Sequence, residues 1–439
     1  MAEGNATMNR WIVVVGAILI QLCLGAIYAW SVFTKLLTEP GGAYEFSATQ
    51  TQLVFSAGLA CFAIVMVIAG RMQAKVGPRP IAMAGGIVLG AGYILGGFLG
   101  QSFIMQLLCI GIIGGAGIGL AYVVPIAVCV KWFPDKKGLI TGLAVAGFGF
   151  GATLWVKMGD SWFGGLLNNL DGMLGLPGVQ AVFVVYGVVF LVCVLLGSIV
   201  MVNPPADFKP AGWTPPPAAA GAATGDVNLT EGQMLRTPQF YMLWITFMAS
   251  AMAGLMVIGI IKLFGIDALQ ASGAAATPEE AGIAAGTAMA LFAILNGLGR
   301  IVWGAVSDKL GRKFSIFLMC ALQGVMMLAF YKLGATKLGL TIGACIIGFN
   351  FGGNFALFAS ATADFFGNKN VGLNYGYVFL SYGVAGIVGP QIAGFFKDRA
   401  PVDAVDVTVW LPPMVIAGVA CLAVALLTLA LKPLKAQDS

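Results

Sequence analysis

Arg300 is the residue whose placement most demands a chemical explanation. It lies in Thr287 to Lys313, TAMALFAILNGLGRIVWGAVSDKLGRK, a run that otherwise has the apolarity of a membrane helix. The nearest carboxylates in sequence are Glu280, 20 residues before it, and Asp308, 8 after it; at about 1.5 Å per helical residue neither is within easy contact. A guanidinium cannot deprotonate, and at mid-membrane it costs between about 2.5 and over 10 kcal/mol, so it must face protein or water. It either snorkels past Gly304 or braces a neighbouring helix, or it serves a transport pathway. In a water-filled cavity its planar fork offers a carboxylate two parallel charged hydrogen bonds, so its ligand is expected to be a small organic anion.

Other polar residues in apolar runs are candidates for the same site. Asn296 is one turn before Arg300, and Asn350 and Asn354 are four apart on one helix face, where they orient a ligand or join helices. Lys262 is near the end of its apolar run, where it is either a second cavity cation or a lysine reaching the interface. Asp160 and Asp267 fall at span ends, so no buried acid is expected beside Arg300. The chain has no histidine, and no nucleophile constellation accompanies these residues, which argues against an enzyme. Its eight cysteines sit in apolar runs without a CxxC, so they read as core packing, and neither a metal nor a cofactor is expected.

The surrounding elements are dictated by composition. Of 439 residues 59% are hydrophobic and 9% charged, and the mean hydropathy is +0.94, which predicts an all-α polytopic membrane protein with the lipid bilayer as its surroundings. The net charge of +5 comes from scattered loop residues, not from a basic stripe, and nucleic acid is not an expected partner. Spans are predicted at 11–34, 51–73, 79–100, 103–130, 138–159, 179–202, 238–263, 283–307, 314–333, 338–363, 371–396 and 409–431. The first exceeds a signal-peptide core and has no A-x-A site, so no cleaved signal is expected. Residues 203–237, with PP and PPP clusters and an Ala/Gly run, read as a linker. The expected domains are therefore 1–202 and 238–439, six helices each. Placing the linker in the cytoplasm puts fifteen Lys and Arg on that side against seven on the other, as the positive-inside rule requires. Both termini are then cytoplasmic, in a plasma membrane (an inner membrane if the cell is Gram-negative).

An internal repeat strengthens the division. GRMQAKVGPR at Gly70 to Arg79 and GAVSDKLGRK at Gly304 to Lys313 are offset by 234 residues, and WFPDKKGLITG at Trp132 and FFGNKNVGLNYG at Phe365 keep the same offset through their glycines. The pattern G-x-x-x-D-x-x-G-R-K resembles the loop signature of the major facilitator superfamily. Gly70, Arg79, Gly304, Asp308, Gly311 and Arg312 would be its gating residues, with Ala74 where the first copy should have aspartate. AIYAWSVF, WFPDKKGL, GQMLRTPQF, NGLGRIVWGAVSDKLGR and NYG are similar to its oxalate/formate antiporter and monocarboxylate transporter branch.

The resemblance implies two pseudo-symmetric six-helix halves that rock about a central site in a carrier expected to function as a monomer. It places Tyr28, Tyr122, Phe148, Phe351, Phe355, Phe379 and Tyr382 where the family lines its cavity; Arg300, Asn296, Asn354 and, if it faces the cavity, Lys262 are the candidate polar ligands. Tyr382 stands where oxalate-transporting relatives carry a second cation, which shifts the expectation from dicarboxylates toward monocarboxylates such as lactate, pyruvate, propionate or acetate. If Lys262 faces the cavity, a dicarboxylate or oxalate-type exchanger is the alternative. Asn296 stands where animal monocarboxylate carriers have a proton-taking aspartate. Any coupled H+ must then ride on the substrate, on Lys262 or on Asp267.

Overall fold

The computed structural model describes residues 8–133, 137–205, 208, 229–367, 371–400 and 406–432, and none of these is in a strand. The long helices are α1 (Arg10–Leu37), α2 (Ala48–Gln73), α3 (Pro78–Leu99), α4 (Phe103–Cys129), α5 (Lys137–Asp160), α6 (Gly178–Ile199), α7 (Pro238–Ala271), α8 (Pro278–Ser307), α9 (Arg312–Leu333), α10 (Lys337–Phe366), α11 (Asn374–Lys397) and α12 (Val407–Thr428). All of them except α5 are long and apolar enough, among the described residues, to cross a membrane, and α5 stands at the position of the fifth predicted span. Local chemistry starts several of them. Ser47 and Gln50 form a reciprocal capping box before α2, Thr237 and Thr277 cap α7 and α8, and proline occupies the first turn of α3, α7 and α8, where its missing N–H costs nothing.

The repeat seen in sequence is also a repeat of backbone conformation. α2 runs on to Val76 and α8 to Leu310, and each turns into the next helix through one glycine: Gly77 at φ 87°, ψ 168° and Gly311 at φ 80°, ψ 153°. Only glycine adopts that region without strain. The packing repeats as well, with α2 on α11 and α5 on α8 joining the first six helices to the last six.

The ends of α7 and α8 differ from expectation. α7 continues to Ala271, and α8 starts at Pro278. The charges that mark a span end in sequence are here paired and largely covered: Lys262 with Asp160, and Asp267 with Lys397 at 2.6 Å and with the Trp410 Nε1 at 2.8 Å. A neutralised charge need not end an apolar helix.

Ties between the halves concentrate at the face opposite the Gly77 and Gly311 turns. There Asp398, just past α11, accepts the N–H groups of Ala48 at 2.7 Å and Thr49 at 3.0 Å, satisfying the first donors of α2 and meeting the positive end of its dipole. Gln52 donates to the Gly259 carbonyl at 3.0 Å, and Thr153 to that of Ala290 at 2.9 Å. At the motif face Arg71 donates to the Tyr377 hydroxyl at 2.9 Å.

Candidate functional site

α8 carries Arg300 into the middle of the bundle, where it is 4% exposed. The Nε–H donates to Asn296 Oδ1 at 3.1 Å, a pairing made possible by the one-turn spacing, and Nη1 donates to the Val145 carbonyl of α5 at 3.4 Å. Nη2 is buried with no acceptor among the described residues. The guanidinium carbon lies 4.1 Å from the centre of the Phe355 ring and 5.9 Å from that of Phe148, so its charge rests on aromatic faces, not on a carboxylate. No snorkelling occurs. The arginine is held by Asn296 and the Val145 carbonyl with the Tyr122 phenol beside it, and its Nη2 keeps an uncommitted donor among the described residues.

The aromatic wall comes from both halves. Tyr28 sits on a 3₁₀ turn, Gly25–Ala29, that interrupts α1, and its hydroxyl is 2.7 Å from that of Tyr382 on α11. Tyr28 meets Phe148 edge-on at 4.9 Å, Phe148 meets Tyr122 at 5.5 Å, and Phe355 lies 5.6 Å from Tyr382 and 6.2 Å from Phe379. The Arg300 charge acts on the phenols of Tyr28, Tyr122 and Tyr382. Asn354 donates to the Phe351 carbonyl at 3.1 Å, leaving its Oδ1 buried and, among the described residues, unpartnered, as are the Nδ2 groups of Asn296 and Asn350. The structure thus brings Tyr28, Tyr122, Asn296, Phe355, Phe379 and Tyr382 together with Arg300 at the junction of the halves, while Asn354 is bonded within α10 to Phe351.

Lys262 is elsewhere. It is buried, not at an interface, and pairs with Asp160 toward the face opposite the motifs. Asp160 is at the end of α5, as expected, and there its side chain is 12% exposed and its charge is met by Lys262. Of the gating residues, Gly70 and Arg79 are exposed, and Gly304 leaves a gap facing Ala356 of α10. Arg312 donates through Nε to Asp364 at 2.8 Å and through Nη1 to Ser307, tying the turn after α8 to the end of α10. The side chain of Asp308 lies outside the described residues.

Three contributors were not singled out from sequence. Phe62 of α2 packs against Tyr122, Phe379 and Tyr382 at 4.9, 5.8 and 5.9 Å. Val145 contributes a backbone carbonyl, which no side-chain pattern advertises. Asp364 could have been found as the acid ending the tenth apolar run.

Two repeated sets of membrane helices, closing on a buried arginine with no carboxylate partner among the described residues, define a multi-pass membrane transporter. The chain belongs to the Major Facilitator Superfamily, whose description it matches over residues 8–390 and again over 280–439. It is 32% identical over 392 residues to the uncharacterized MFS-type transporter YhjX of Escherichia coli (strain K12), covering 88% of each chain. It is also similar to the oxalate:formate antiporter of Oxalobacter formigenes, 26% identical over 386 residues, 87% of this chain and 83% of that one. A third relative is the apicoplast pyruvate carrier 1 of Toxoplasma gondii, 25% identical over 458 residues, 84% of this chain and 81% of that one.

Proposed function

We propose that this chain carries small monocarboxylates such as lactate, pyruvate or acetate across the plasma membrane by alternating access, in symport with a proton. The motif face and both termini are cytoplasmic in this reading. One observation carries it: a single buried guanidinium with an uncommitted Nη2, set against aromatic faces and with no second free cation beside it among the described residues. One carboxylate satisfies that donor, and a short alkyl or keto tail suits Phe355, Phe379 and Phe148. The names of two relatives, a pyruvate carrier and an oxalate:formate antiporter, belong to the same chemistry. Lys262 is engaged by Asp160, which weighs against a site built for two carboxylates.

The contacts also supply a reason for obligatory loading. Moving an empty carrier exposes Arg300 to a changing environment with no carboxylate partner among the described residues, which is costly; a bound carboxylate neutralises the charge. Arg300 and Tyr382 of one half bond Val145 and Tyr28 of the other, so a ligand there bears directly on closure. The test is uptake of labelled acid into proteoliposomes under an imposed pH gradient, with and without an imposed voltage, and a competition panel of mono- and dicarboxylates. Electroneutral uptake driven by the pH gradient supports symport. Uptake indifferent to pH but stimulated by internal carboxylate replaces it with exchange, the second reading, which the oxalate:formate relative favours.

A further inference from the structure

The ion pair between Lys262 of α7 and Asp160 of α5 spans the two halves, with side chains 5% and 12% exposed. Only one oxygen of Asp160 is used. Its Oδ2 is buried without a partner among the described residues and lies over Gly286 of α8, where any Cβ would overlap it. Gly282, one turn earlier, borders the Lys262 ammonium. The two glycines thus keep one face of α8 bare beneath a lysine and a half-used carboxylate.

Charge around the pair is unbalanced. Lys35 of α1 and Lys157 of α5 both act on Lys262, with Lys157 donating to Thr287 at 2.8 Å; the exposed Glu279 answers Lys35. Three ammonium groups therefore stand against two carboxylates, the part-buried Asp160 and the exposed Glu279. Gly286 and Arg300 are 14 residues apart, close to four helical turns, so they share a face of α8 and are separated by about 21 Å along its axis.

We propose that Lys262, supported by Lys35 and Lys157, is a second carboxylate-binding site on the path to Arg300, and that Asp160 fills it as a built-in stand-in for the transported anion while the external side is closed. The inference rests on the carboxylate-carrier reading above. Opening that side draws α5 away from α7 and takes Asp160 with it. Lys262 is left in apolar surroundings without its counter-charge, which is strongly unfavourable, and an arriving carboxylate restores the balance. On closure Asp160 returns and sends the anion on toward Arg300. A bridge that merely held helices together would have no use for a surplus of cations or for a bare second oxygen.

The experiment is the KM for external labelled pyruvate, measured with the reconstituted full-length carrier. Lys262→Gln is expected to raise KM about tenfold, the loss of one charge-assisted bond, with kcat changed less. Asp160→Asn removes the internal competitor and is expected to lower KM while slowing turnover. Shifts of KM in the same direction for Lys262→Gln and Asp160→Asn, with rescue by the swap Asp160→Lys/Lys262→Asp, would leave only a structural bridge and overturn the proposal. Lys35→Gln and Lys157→Gln spare the buried pair and serve if its variants do not fold. Each is expected to raise KM about two- to threefold at low salt and not in high salt, where screening removes long-range attraction; an unchanged KM at low salt counts against the site. Wild-type protein that moves no small carboxylate overturns the carrier reading as well, whereas transport with same-direction shifts removes this second site alone.

Discussion

Replacing Arg300 separates a positioned fork from a mere positive charge. A bound carboxylate is expected to take Nη2 and the outward N–H of Nη1, while Nε stays on Asn296 at 3.1 Å. The long 3.4 Å contact to Val145 is weakened at little cost. Hydrogen bonds to charged groups contribute about 1.5–3 kcal/mol each. Arg300→Lys keeps the charge but gives up the fork and the bond to Asn296, so it forfeits roughly one such bond, or about 10- to 150-fold in KM at 1.4 kcal/mol per decade. Arg300→Ala forfeits both bonds and the cation–π contact with Phe355, an expected loss of about a thousandfold or more. Stability should not follow activity. Removing a buried charge with an uncommitted donor relieves the membrane interior, so the thermal midpoint of Arg300→Ala in detergent is expected to equal or exceed that of wild type. Counterflow of labelled lactate in proteoliposomes, alongside that melting measurement, decides the matter. Counterflow within threefold of wild type for either variant would refute the reasoning.

Tyr382→Lys places a second cation opposite Arg300 in exchange for the 2.7 Å bond to Tyr28, and oxalate or malonate should then compete better against lactate; unchanged competition would mean the site is wrongly placed. Under an imposed pH gradient, Lys262→Gln is expected to weaken the drive for uptake more than Asn296→Asp does, because Lys262 and Asp160 form a buried titratable pair between the halves; the reverse order in initial rates would rule out that pair. Gly311→Ala and Gly77→Ala each force a side chain into a backbone region nearly reserved for glycine, at a cost of about 1–3 kcal/mol. Matched drops in thermal midpoint are expected, since the two turns share one conformation, and tolerance of either change would count against their equivalence.

What could be read from the linear chain was whatever a membrane imposes locally. Hydropathy over some twenty residues places a span wherever the surroundings are apolar, and the 234-residue offset survives because equivalent turns need the same glycine, Gly77 and Gly311. Arg300 stood out for the same reason: a charge in an apolar run is conspicuous without knowledge of its neighbours. The aromatic residues drawn around it, from Tyr28 to Tyr382, came from family likeness, whereas Asn296 came from its one-turn spacing. Tertiary structure alone decided the partners. Asp160 and Lys262 are 102 residues apart and on different halves, and each by itself looks like the polar end of a span. Val145 acts through a carbonyl that every residue possesses, 155 residues from Arg300, and Asp398 reaches the start of α2 across 350 residues. Such pairings are set by how two six-helix sets dock. Docking depends on the shape and charge of whole faces, which no local window of sequence contains.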